Sequence, residues 1–147
     1  MLSDEEFLTR FEDLSLPAEA FSHRGHLRLA WLYLQRLPAL EAMERITSGI
    51  PAYASSLGAA DKYHHTLTVA IVRVMAERVR QSPGLSFEDF LNANNDLVED
   101  FRGLLLTHYS EARLFSEEAR LAWLEPDLAP LPELTLKASN VDYRQAG

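Results

Sequence analysis

The chain has 147 residues, 47% of them hydrophobic, which is enough for a single domain with a real core. It carries 22 acidic against 14 basic residues, a formal charge of −8, and so lacks the basic face a generic nucleic-acid binder needs. It has no cysteine, which excludes disulfides, thiolate metal sites, thiol nucleophiles and iron–sulfur clusters together.

In chain order the pattern is helical almost throughout. Ser3 followed by Glu6 is a capping box, and Phe7, Leu8, Phe11 and Leu14 form one apolar stripe, predicting a short helix that ends near Leu14. Pro17 marks a connection. Ser22 is a good N-cap for a helix over residues 23–37, stopped before Pro38. A third helix is expected over residues 39–57, with Gly58 as its stop and Pro51 kinking or dividing it. A fourth spans residues 63–81 and closes at Ser82-Pro83-Gly84. Ser86 caps a short helix through Asn92. Asn94-Asn95-Asp96 is a break, a further helix covers residues 97–108, and Ser116 caps a last one ending near Leu124. From Pro126 onward the periodicity is lost, and residues 126–147 hold three of the seven prolines. The expectation is an all-α single-domain helical bundle with short loops over residues 1–125, followed by an irregular proline-containing tail packed on the surface or frayed. No apolar run approaches the roughly 20 residues of a membrane span. The opening Met-Leu-Ser-Asp-Glu-Glu has neither the basic nor the apolar region of a signal peptide. A cytoplasmic protein of bacterial type, with no membrane partner, is expected.

Chemistry concentrates in three of the five histidines. His23 and His26 form an H-x-x-H at the start of the second helix, and their spacing makes them neighbours on one face. They lie opposite the polar stripe of Arg24, Arg28 and Gln35, with the small Ala30 on the same inward line. His64 falls opposite the polar stripe of the fourth helix, on the arc of Leu67, Ile71 and Met75, while His65 is on a flank. Three inward imidazoles from two helices are candidate ligands for a divalent transition metal, Zn, Fe, Ni, Cu or Mn, since the chain offers only imidazole and carboxylate donors. Asp61, three residues before His64, is a candidate ligand or pocket residue, or the N-cap of the next helix, and His108 is a candidate fourth member of the site. Lys62, Tyr63, His65, Thr66, His108 and Tyr109 are candidate pocket residues. The plainer reading of each is a satisfied side chain at a helix end, and a buried histidine is more often held by a carbonyl than bound to a metal. Motifs of zincins, ferritin-like di-iron proteins, serine hydrolases and phosphate-binding loops are absent.

Four stretches together resemble a family of small uncharacterised all-helical bacterial proteins. These are Phe21-Ser22-His23-x-x-His26-Leu27-Arg28-Leu29-Ala30-Trp31, then Lys62-Tyr63-His64-x-Thr66, then Leu106-x-x-Tyr109-Ser110, then Trp123-x-Glu125-Pro126-Asp127-Leu128-x-Pro130-Leu131-Pro132. The resemblance runs from Phe21 to Pro132 and implies that His23, His26 and His64 are the motif histidines; it implies no activity. The residue after the third histidine is often Glu in similar sequences, whereas here it is His65.

Three readings follow. The first is a metal-binding protein, or a small metal-dependent enzyme acting on a small molecule, with His23, His26 and His64 as ligands. The second is a metal-free pocket in which one histidine acts as general base beside Tyr63 or Tyr109. The third is a non-enzymatic interaction protein or homo-oligomer with structural histidines.

Overall fold

The computed structural model describes residues 2–134. Over these residues the chain is an all-α bundle of nine helices: α1 (Asp4–Glu12), α2 (His23–Arg36), α3 (Ala39–Ser56), α4 (His65–Gln81), α5 (Phe87–Ala93), α6 (Asp96–Glu99), α7 (Phe101–Leu105), α8 (Glu111–Leu114) and α9 (Glu117–Leu121). Two 3-10 turns, Ala18–Ala20 and Ala60–Lys62, lead into α2 and α4. No helix among the described residues is long and apolar enough to cross a membrane.

The three longest helices make the frame. α2 packs against both α3 and α4, and α3 against α4. Their buried faces read directly from the apolar spacing: Leu27, Ala30 and Trp31 on α2, Ala42, Ile46 and Tyr53 on α3, Ala70, Ile71, Val74 and Met75 on α4. α1 lies on α3, with both halves of the Ser3–Glu6 capping box formed and Phe7, Leu8 and Phe11 buried. Phe11, Phe21 and Tyr53 form an aromatic cluster with ring centroids 5.0–5.6 Å apart. The Tyr53 hydroxyl donates to Leu16 O at 2.7 Å, which satisfies the one polar atom of that cluster. Gly25 is required where it stands: a Cβ there would come 2.4 Å from Ala20 O in the 3-10 turn laid across α2.

Several elements differ from the sequence expectation. Pro51 does not divide its helix; α3 runs unbroken through it. The lost N–H removes one backbone bond, and the buried face that flanks it, Ile46 and Tyr53, outweighs that loss. α4 begins at His65 rather than Tyr63, because His64 is its N-cap. The single helix expected over residues 97–108 is two, α6 and α7. Asp100 breaks it by turning its carboxylate onto the Gly103 N–H at 3.1 Å and starting a new N-terminus. α8 was not anticipated; Ser110 caps it as Ser116 caps α9.

α1 ends at Glu12 because Leu14 adopts φ +67°, the left-handed region, and leaves the apolar stripe with 43% of its surface exposed. For a residue with a Cβ this conformation costs about 1–2 kcal/mol. Leu14→Gly is therefore expected to stabilise the fold by about 1 kcal/mol in urea unfolding. Destabilisation would mean that the exposed leucine side chain contributes more than its backbone costs.

Candidate functional site

Every histidine makes a polar contact, and for four of them the partner is a main-chain carbonyl. A carbonyl only accepts, so the nitrogen facing it carries the hydrogen. His23 donates from Nε2 to Leu97 O at 2.8 Å, tying the start of α2 to α6. His26 donates from Nδ1 to Ser22 O at 2.9 Å, one turn back, and stacks on Phe21 with centroids 3.9 Å apart. His108 donates from Nδ1 to Ala129 O at 3.1 Å. In His65, Nδ1 lies 2.8 Å from the Tyr63 hydroxyl, and burial pushes that phenol above its usual range.

His64 is different because both of its ring nitrogens face the main chain. Nδ1 accepts the Leu67 N–H at 3.0 Å, capping α4, and Nε2 donates to Leu114 O at 2.8 Å, holding α8. Only the neutral Nε2–H tautomer makes both bonds, and while they hold the ring has no lone pair for a metal.

The structure thus places His64 in contact with α8, and His23 with α6. His23, Leu67 and Leu114 line one groove of about 380 Å³ with Phe101; His64 is tied to two of these residues through the Leu67 N–H and Leu114 O. His23 and His64 do not form a ligand set with His26. Among the described residues no group of three or more His, Asp or Glu side chains is arranged to hold a metal ion. Asp61 does not cap α4. It is exposed in its 3-10 turn, and its carbonyl accepts from Arg120 Nη1 at 3.0 Å. Lys62 is exposed beside it.

Thr66, His108 and Tyr109 are brought together, along a strap rather than around a pocket. Residues 122–134 run without helix past α4, the turn before Ser110 and the start of α8, and side chains fasten them at successive points. Thr66, fully buried, donates to Ala122 O at 2.7 Å and accepts from Leu124 N–H at 3.1 Å. Tyr109 donates its hydroxyl to Leu124 O at 2.6 Å, and burial pushes the phenol up to about 12. Arg113 holds Glu125 O at 2.6 Å. Ser110 donates to the Asp127 carboxylate from both its side chain and its backbone, which keeps that carboxyl below the usual carboxylate range. Arg73 reaches Pro132 O at 2.7 Å with its guanidinium over the Trp123 ring. Residues 126–134 of the expected tail are packed in this way, with Leu131 in the core. Residues 135–147 lie outside the described residues.

Sequence reasoning did not foresee a cleft of about 620 Å³ where the N-terminal ends of α1, α2 and α5 meet the first 3-10 turn. Leu2, Pro17, Ala20 and Phe87 give it apolar walls, and Arg24 and Arg28 line it from α2. Their spacing of four was legible, as part of a polar helix face; the opposite wall, more than 50 residues later, was not. Arg24 pairs with Glu88, and Arg28 Nη2 donates to both Asp4 Oδ1 and Leu2 O at 2.9 Å.

No family model, curated protein or solved structure matches this chain, so its residues take their roles from geometry. That geometry makes two measurable claims. His64→Ala leaves the Leu67 N–H and Leu114 O without partners and is expected to cost about 2–4 kcal/mol in urea unfolding. His64→Asn, which can still cap, recovers about 1 kcal/mol of that loss; an alanine variant as stable as the parent would contradict both bonds. For His26, burial lowers the imidazole from its ordinary 6.5, opposed by Ser22 O and reinforced by His23. The unfolded chain then binds the proton more readily. The contribution to stability is complete above about pH 6.5 and declines as the pH falls from there through the lowered folded value. His26→Gln is expected to lose less stability than the parent between about pH 7.5 and about pH 5.5; an equal loss would locate the acid sensitivity elsewhere.

Proposed function

We propose that this chain is a non-enzymatic helical binding module. Its histidines are structural, and it takes a small amphipathic molecule in the cleft between α1, α2 and α5. The cleft carries the reading. Its volume of about 620 Å³ lies within the roughly 300–1,000 Å³ of small-molecule sites, and its mix of apolar walls with a few charged groups is the usual composition of such sites.

Binding is favoured over chemistry by what the lining does. The hydroxyls of Ser22 and Ser86 accept the Gly25 and Asp89 N–H groups as helix caps, and among the described residues no imidazole lines the cleft to activate either one. One ring nitrogen each of His23, His26 and His108, and both of His64, bond the main chain, and among the described residues no ligand group gathers around the nitrogens left over, in keeping with bracing rather than ligation.

Nile red, a neutral apolar dye whose emission rises on leaving water, tests the cleft. Saturable one-to-one binding is expected in the parent. It should be lost in Glu19→Trp, which puts an indole into the cleft from an exposed turn position and leaves the melting temperature unchanged. Non-saturable binding, or binding untouched by the indole, would overturn the reading. Metal content after dialysis against zinc and iron tests the histidines. One tightly held ion per chain, lost in His26→Ala, would overturn their structural role and favour the metal centre instead.

A further inference from the structure

Resting on that reading, we propose that the cleft selects an organic anion, a carboxylate on an apolar body, and that Arg24 and Arg28 are the residues that select it.

The two arginines stand at i and i+4 on α2, so their side chains leave the helix on one face about 5–6 Å apart at Cβ. Both line the cleft. Each guanidinium is held in place by an aromatic ring: Arg28 lies 4.6 Å from the Phe7 centroid and Arg24 5.5 Å from that of Phe87. Holding the charge before the ligand arrives reduces the ordering cost of binding. A guanidinium has five N–H donors. Arg24 uses Nη2 on Glu88, and Arg28 uses Nη2 on Leu2 O and Asp4. The Nε and Nη1 donors of both have no partner among the described residues; Arg24 also keeps one Nη2 hydrogen, so it can present two parallel donors to a carboxylate, and Arg28 adds single donors beside it.

The cleft also contains Asp4, Glu19 and Glu88, and the choice between anion and cation rests on burial. The Asp4 and Glu88 side chains are 50% and 70% exposed, against 49% for Arg24 and 21% for Arg28, so the most sheltered charge in the cleft is a guanidinium. Exposed pairs of this kind are worth little, about 0–1 kcal/mol, so a ligand carboxylate can share or displace them. A cation entering the cleft meets Asp4 and Glu88, which already have guanidinium partners and reach into solvent, and Glu19, an exposed carboxylate of the 3-10 turn whose charge water screens. The −8 charge of the chain opposes an anion at long range, but salt screens that field beyond about 8–10 Å. Leu2, Pro17, Ala20 and Phe87 provide the surface for the apolar body.

Octanoate, 1-octanol and octylammonium share one alkyl chain and differ in head-group charge, and each can be titrated against Nile red bound to the full chain. Octanoate is expected to displace the dye about tenfold more tightly than octanol, the effect of one charge-assisted hydrogen-bonded head group. Arg24→Gln should erase most of that difference. Arg24 is half exposed, so this variant keeps the fold even if Arg28→Gln does not. Glu88→Gln removes a competitor for Arg24 and should tighten octanoate while leaving octanol unchanged. Equal binding of octanoate and octanol, or a preference that survives Arg24→Gln, would overturn the anion proposal and leave the binding module standing. Tighter binding of octylammonium would overturn it in favour of a cation. If none of the three displaces a dye that binds saturably, the ligand class falls and the binding module stands; if the dye itself does not bind, both fall.

Discussion

Much of the fold after residue 110 depends on a neutral imidazole at the start of α4. His64 faces two directions at once, accepting the Leu67 N–H and donating to Leu114 O. Two residues on, Thr66 does the same with the backbone of Ala122 and Leu124. These contacts matter because α5 to α9 are only 4–7 residues long. Helices that short are not stable on their own, since nucleation costs more than one turn returns. They persist here because each begins at a capping side chain or is held by one from α2 or α4. An imidazole suits the position better than a hydroxyl. It is long enough to reach a second element, and it offers an acceptor and a donor in fixed directions.

The same logic explains why histidines are concentrated at junctions. His23 joins α2 to α6, His64 joins α4 to α8, and His108 joins its turn to the strap at Ala129. In each case a carbonyl of a short helix or of the strap gains a side-chain donor from another part of the chain. The cleft is built from what remains. α1, α2 and α5 begin near one another, and their first turns carry serine caps, arginines and carboxylates rather than core residues. The result is an amphipathic recess beside a fully packed core.

Much of the framework was legible in the residues themselves. The Ser3–Glu6 box, the Ser22, Ser86 and Ser116 caps and the apolar spacing of α2 and α4 each involve groups three or four positions apart. What misled was competition at similar range. Asp100 looks like one more polar position in a helix, yet its carboxylate reaches the Gly103 N–H and ends the helix. His64 looks like the first inward residue of α4 by periodicity. The helix starts one residue later, so its ring points along the backbone as a cap. Pro51 reads as a break, and the helix passes through it because packing on both sides holds it.

The sequence by itself determined an acidic, cysteine-free, all-α chain, the faces its longer helices bury, and the serines that start them. All of these are set by composition or by contacts within a single helical turn. Only the tertiary structure decided which partner each imidazole meets. His23, His64 and His108 find their carbonyls 74, 50 and 21 residues away, and Arg24 finds Glu88 at a separation of 64. A helical pattern states which way a side chain points. It does not state which carbonyl, carboxylate or empty space the rest of the chain will bring to meet it.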